Sequence, residues 1–333
     1  MNVRTIVVLL LRPRRKARSP TRPGKPAQSQ FRSGPAAAKV RPKEPRMAFS
    51  FTLSDRTLAL GTRRIALEQI DRALDYIDRS NVPQGEAVHE IRKNVKRLRA
   101  LLRLVRPGLA DHATLDMLLR DAARRIAALR DAAVLLHTLD ALAPGGLPAI
   151  RAALTQAPPG APGVADDALA ACRADLTSAR GSLKALALKG AGPDVLQEGL
   201  TRTLRQAQAG LHVALGEASA AAVHDFRKRV KDHLYHARLL TPLWPAMMSP
   251  HATLTEELGE TLGLMNDIAV FRDTLASLDI PPGERADAGV LARVRHDRLS
   301  LTALPLAARL FAGRPEDVAE RWCAWWAIWR AEG

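Results

Sequence analysis

Two histidines each head a row of cations. His89 is followed by Arg92, Lys93, Lys96, Arg99 and Arg103, and His224 by Arg227, Lys228, Lys231 and Arg238. Residues three and four apart share one side of a helix. At 3.6 residues per turn the first row occupies about 120° of arc and runs about 21 Å from His89 to Arg103. Ile91, Val95, Leu98, Leu102 and Val105 fall on the opposite side. In the second row Tyr235 shares the cationic sector, and Val223, Phe226, Val230 and Ala237 oppose it. Such a face offers guanidinium and ammonium donors to an extended anion. A solvated helix face ordinarily interleaves acids with bases, yet residues 91–106 hold seven bases, Arg97 included, and no acid. Acids on other helices or a bound polyanion must offset that repulsion. The surrounding cations disfavour imidazolium, so each histidine reads as a neutral ring that contacts an anion or makes a structural hydrogen bond. No HExxH or CxxC spacing is present, and His224-Asp225 has no nearby metal-ligating partners, so neither a metal nor another cofactor is expected.

The two rows are copies. Val88-His89-Glu90-Ile91-Arg92-Lys93-Asn94-Val95-Lys96 matches Val223-His224-Asp225-Phe226-Arg227-Lys228-Arg229-Val230-Lys231, with six of nine positions identical at an offset of 135. Arg103 and Leu104 continue the match at Arg238 and Leu239. Downstream, Leu129 to Val134 aligns more weakly with Met265 to Val270 at an offset of 136. Two matches in the same order imply duplicated helical bundles, here bounded at 50–160 and 164–333. Asp232, His233 and Leu234 stand where the first copy has Arg97, Leu98 and Arg99, which leaves the second row less basic along its middle.

The elements that would carry these rows are helices throughout. From Ser54 onward apolar residues recur at helical spacing, strand-like alternation is nearly absent, and Ala, Leu, Arg and Glu dominate. Gly and Pro gather in clusters between them. This spacing predicts helices near 55–79, 86–106, 111–142, 147–156, 164–188, 194–216, 219–240, 252–278, 284–311 and 315–331. The fold class is all-α, in duplicated helical bundles.

Composition bounds the rest. The 333 residues are 47% apolar, which excludes a wholly disordered chain. Two cysteines exclude a disulfide framework and suit a reducing compartment. The longest apolar run near the start, Ile6 to Leu11, is far short of the roughly 20 residues that span a bilayer. A soluble, intracellular protein with no membrane partner is therefore expected. The net charge of +16 is uneven: residues 1–49 hold 13 bases and one acid, and the remaining 284 hold 37 bases and 33 acids. This basic tail lacks apolar periodicity and is expected to be disordered. It reads as a transit peptide, as a polyanion-binding arm, or as sequence ahead of a true start at Met47.

At the repeated rows the sequence resembles the CHAD family, the conserved histidine α-helical domain. Its motif is a V-H-x-x-R-(K/R)-x-x-(K/R) helix in each half, followed by an Asp-containing helix. Val88 to Arg103 with Arg130-Asp131 fits the first half, and Val223 to Arg238 with Gly263-Leu264-Met265-Asn266-Asp267 fits the second. The resemblance covers about residues 50–330. It implies two pseudo-symmetric four-helix bundles meeting around a basic central pocket, binding of inorganic polyphosphate and, in some members, association with polyphosphate granules in the cytoplasm. The contacts it implies are His89, Arg92, Lys93, Lys96, Arg99 and Arg103 with His224, Arg227, Lys228, Lys231 and Arg238. Arg97, Arg120, Arg124 and Tyr235 extend that surface. Asp131 and Asp267 read as salt-bridge partners that orient the bases.

Polyphosphate has about one charge per unit and no bases to read, so it suits a trough of Arg and Lys. Single-stranded nucleic acid also favours stacking aromatics among the cations. Only Tyr235 and Phe226 stand near, which makes nucleic acid the second choice of ligand. A β-tunnel triphosphatase would need Glu-x-Glu-x-Lys patterns, and none appears. A His phosphotransfer role for His89 lacks a Gly-rich nucleotide site. No catalysis is expected. Trp322, Trp325, Trp326 and Trp329 form a helical stripe that either packs inward or makes a homodimer interface. Cys172 and Cys323 have no neighbouring His or Asp that would make them reactive.

Overall fold

The computed structural model describes residues 49–79, 81–127, 129, 131–156, 164–217 and 219–332, without the side chains of 131–133. Phe49 to Gly333 form one compact unit. The described residues are helical and contain no strand. The helices are α1 (Leu58–Asp78), α2 (Gln84–Leu104), α3 (His112–Arg125), α4 (Asp131–Leu142), α5 (Pro148–Thr155) and α6 (Val164–Lys184). Then come α7 (Gly192–Glu217), α8 (Ala220–Leu239), α9 (Pro245–Ser277), α10 (Pro282–Leu310) and α11 (Pro315–Ala331).

Local chemistry sets many of these boundaries. Pro148, Pro245, Pro282 and Pro315 open α5, α9, α10 and α11, where a missing N–H costs nothing and the ring presets φ. Thr57 Oγ1 accepts from the Leu60 N–H at 3.1 Å to cap α1, and Ser219 Oγ does the same for Ala222 at the start of α8. The predicted single helix 111–142 is two, α3 and α4. The chain leaves helical geometry at Ile126 without a Gly or Pro to announce it. The break lets α4 leave α3 and pack, with α5, on α9 and α10. Their shared core is Leu139, Ile150, Leu154, Phe271, Leu275, Ile280 and Ala288.

The neighbours are ordered simply. α1 packs on α2 and α6, and α3 packs on the same two helices; α8 packs on α7 and α9, and α10 on α9 and α7. The two repeated helices, α2 and α8, pack directly on each other. A main core runs through α1, α2, α3, α6 and the end of α8, and takes in Trp322, Trp326 and Trp329 of α11. Those three tryptophans are at most 7% exposed, so the stripe is a packed face. Trp325 meets Trp244 edge-on at 5.1 Å.

Two contacts pin α8 across α2. His236 Nε2–H donates to the Ala100 carbonyl at 2.9 Å, and Arg103 Nη1 donates to Asp232 Oδ1 at 2.7 Å. From Asp232 to Ala237 every residue of α8 is buried, because helices close around it on all sides. Close approach of α7 depends on Gly199, where any Cβ would run into the Leu104 backbone of α2. The segment before α1 is fixed by the Phe51 N–H donating to the Leu239 carbonyl at 3.1 Å.

Candidate anion-binding site

The repeated helices lay their bases over the helix that follows each in the bundle. On α2, Arg92 Nη1 donates to the Ala123 carbonyl of α3 at 3.2 Å. On α8, the Arg227 guanidinium crosses Gly263 of α9 and the Lys231 chain crosses Gly259. A Cβ at Gly263 would lie 3.1 Å from Arg227 Nη2, and one at Gly259 would lie 2.9 Å from Lys231 Cε. Two glycines one turn apart thus give the cations a bare backbone to rest on.

The cationic rows divide into neutralised and unneutralised members. Asp116 of α3 receives Arg99 through two hydrogen bonds of 2.8 and 3.0 Å and lies 3.4 Å from Arg103. Asp232, 4% exposed, receives Arg103 at 2.7 Å and Arg229 at 3.2 Å. Acids on other helices therefore offset Arg99 and Arg103. Burial pushes Asp116 upward, but the Arg99 pair outweighs it and leaves this carboxyl below its ordinary value. Lys93 pairs with Glu90, Lys228 with Asp225, and Arg120 and Arg124 with Asp121. Arg238 pairs with Glu256 of α9.

Arg97, Arg227 and Lys231 are different. The Nε atoms of Arg97 and Arg227 are buried without a hydrogen-bond partner. No carboxylate among the described residues forms an ion pair with either guanidinium or with Lys231. The Arg97 guanidinium lies 5.6 Å from the Phe49 ring centroid. Burial, with the like charges of Arg238 and of Arg72 on α1, depresses the Arg97 pKa. Burial and then Arg227 depress that of Lys231. A guanidinium does not shed its proton in a protein, so Arg97 remains a half-buried cation. The like charge of Arg238 acts on both Arg97 and Lys231.

The remaining predicted residues are placed as follows. His224 Nδ1 is 2.6 Å from Asn266 Oδ1; a carbonyl oxygen only accepts, so the proton sits on Nδ1 and Nε2 is the ring's acceptor. Burial, then Lys228, lowers the His224 pKa and keeps the ring neutral. His89 is 48% exposed, with Nε2 4.0 Å from Glu90, and Lys96 is exposed. Tyr235 departs from its helical-wheel placement. It is 8% exposed and packs edge-on to Phe49 at 6.0 Å, because the C-terminal half of α8 is enclosed on every side. Asp267 also departs from its expected role: among the described residues it pairs with no base and only accepts a 3.4 Å contact from Asn266. Asp116 and Glu256 do the orienting instead. Arg130 and the Asp131 side chain lie outside the described residues.

Sequence reasoning missed Arg72, Asp116, Glu256 and Gly259. A glycine repeat, Gly259 and Gly263, was the one local signal for the α9 platform. The thiols are inert: burial raises Cys172 to about 12 and Cys323 to about 11. No group of three metal-ligating side chains occurs among the described residues. No described helix is long and apolar enough to cross a membrane.

An all-helical fold with two histidine-headed basic helices packed on each other defines the class, and comparison with known families supplies the name. The chain belongs to the CHAD domain family, which it matches over residues 64–276. The match runs from α1 into α9 and so spans both repeated helices, a shorter reach than the 50–330 of the sequence resemblance. No curated protein matches the chain.

Proposed function

We propose that this CHAD domain binds inorganic polyphosphate through the cluster of Arg97, Arg227, Lys231 and Arg238. The observation that carries the reading is the pair of buried guanidinium Nε groups left without acceptors beside an unpaired Lys231. Buried donors normally find partners, and a donor left unmet costs about 1–3 kcal/mol. The Nε atoms themselves are closed off, but with no carboxylate among the described residues on either guanidinium the Nη donors and Lys231 are left to phosphate oxygens, whose geometry guanidinium suits. Nucleic acid fits less well, because Phe226 and Tyr235 are buried and give no ring to stack on. The family resemblance extends the proposal to a cytoplasmic protein acting at polyphosphate granules. The reading is of a binding module and not an enzyme: cations resting on glycine backbone hold an anion without supplying a nucleophile.

The test is a titration of the full chain with long-chain polyphosphate and with single-stranded DNA across a salt series. Arg227→Glu and Lys231→Glu should each weaken polyphosphate binding about 10- to 100-fold, the loss of one charge-assisted contact. Residues 1–49 are present in every variant, so a difference between variants arises outside them. For about four released counterions, affinity should fall roughly 100-fold between about 50 and 200 mM salt. Equal affinity for DNA, or indifference to both substitutions, refutes the reading.

A further inference from the structure

The 135-residue repeat makes position 97 equivalent to 232, and position 103 equivalent to 238. Each copy therefore has an arginine, Arg103 or Arg238, whose partner across the α2–α8 contact is the residue at 232 or 97. At one crossing the partner is an acid. Asp232 is nearly fully buried and accepts from Arg103 Nη1 at 2.7 Å and from Arg229 Nη1 at 3.2 Å. At the other crossing the equivalent residue is Arg97, on which the like charge of Arg238 acts and whose buried Nε has no acceptor. Arg238 turns instead to Glu256 on α9. On α2 itself, residues 97 and 103 are about 9 Å apart along the axis and about 120° apart around it. The two crossings therefore open on different sides of the helix.

We propose that Asp232 is a built-in oxyanion that closes one crossing of α2 and α8, and that the Arg97 crossing is the one place among the described residues that takes an external phosphate-class oxyanion. Two guanidinium donors converge on a carboxylate oxygen pair at the closed crossing. At the open crossing Arg238 has turned to Glu256 and Arg97 is left with donors and no carboxylate among the described residues, so a ligand phosphate completes it. The choice of acid or base at one repeat-related position thus decides which side of the duplicated helices binds. Arg97 is a ligand-contacting residue and Asp232 a positioning one. This inference rests on the polyphosphate reading for the class of ligand, and adds to it the side, the stoichiometry and the determinant.

The experiment is calorimetric titration of the full chain with tripolyphosphate, a probe short enough to count sites, repeated with long-chain polyphosphate. Thermal unfolding is followed without ligand. Wild type should take one tripolyphosphate per chain. Arg97→Asp should bind at least tenfold more weakly, yet melt at a higher temperature when empty, because an acid there pairs with Arg238 as Asp232 pairs with Arg103. Arg295→Asp, the same charge change at an exposed residue within α10, should do neither. Asp232→Asn should melt lower when empty and take a second tripolyphosphate. If Asp232→Asn does not fold, the opposed shifts of affinity and melting temperature in Arg97→Asp still decide the matter. Two sites in wild type, Arg97→Asp binding as wild type, or folded Asp232→Asn keeping one site overturns the inference and leaves polyphosphate binding intact. A wild type that binds neither probe overturns the functional reading itself.

Discussion

Each arginine of the cationic rows is defined by the oxygen it meets. Arg99 and Arg103 find Asp116, an acid 17 and 13 residues away in sequence and on a different helix. Arg227 and Arg97 find none at Nε. Removing Asp116 leaves the half-buried Arg99 without its acid and Arg103 with Asp232 alone. Asp116→Asn is therefore expected to lower stability by about 1–2 kcal/mol, reduced from the cost of a fully buried pair because Asp116 is 25% exposed. Urea unfolding reads this directly. An unchanged midpoint would mean that solvent already screens these three charges. His224 shows the same dependence on its setting: the residue type announced a histidine at the head of a row, but Asn266 of α9 selects its tautomer.

At the level of elements, helix α2 was legible almost residue by residue, and α8 was not. α2 packs on α1, α3, α7 and α8, yet the wheel separates its residues: Ile91, Val95, Leu98, Leu102 and Val105 are buried and Lys96 is exposed. α8 is wrapped by α2, α7 and α9, and a wheel drawn from polarity places Tyr235 among the cations when packing buries it. The break between α3 and α4 was equally hidden, since no Gly or Pro marks it and only the docking of α4 on α9 and α10 requires it. α9 acts as the floor of the site through Gly259 and Gly263. Gly263→Val would push Arg227 off that floor while raising helix propensity slightly. We expect polyphosphate affinity to drop about tenfold, the worth of roughly one displaced contact, with the urea midpoint little changed. A proportionate loss of both would show that the glycine serves helix packing and not cation placement.

For the whole molecule, pH tests how many imidazoles the core holds neutral. His233 Nε2 and His251 Nε2 are 2.8 Å apart, so one donates and the other accepts, and His233 stacks on Trp322. Burial lowers the pKa values of His233, His236 and His251, and takes His112 to about 4. Unfolded, these rings titrate near 6.5. Between pH 6.5 and about 4 the unfolded chain accepts protons that the folded chain refuses, so unfolding is favoured as pH falls. Stability should be full above about pH 6.5 and decline steadily below it. Melting temperature measured from pH 7.5 to 4.5 checks this, and His251→Phe should flatten the decline. A flat wild-type profile would show that the buried pair protonates without opening the fold.

What the sequence by itself determined was the all-helical class, the repeat and the identity of the two basic helices, since periodicity and self-similarity are local or one-dimensional signals. It also raised the question of what offsets seven bases in a row. The tertiary structure decided which of them are offset. Charge compensation depends on which acids lie within a few ångströms, and Asp116, Asp232 and Glu256 reach their arginines only after the helices have packed. The same packing leaves Arg97, Arg227 and Lys231 without partners among the described residues, and no spacing along the chain encodes that distinction.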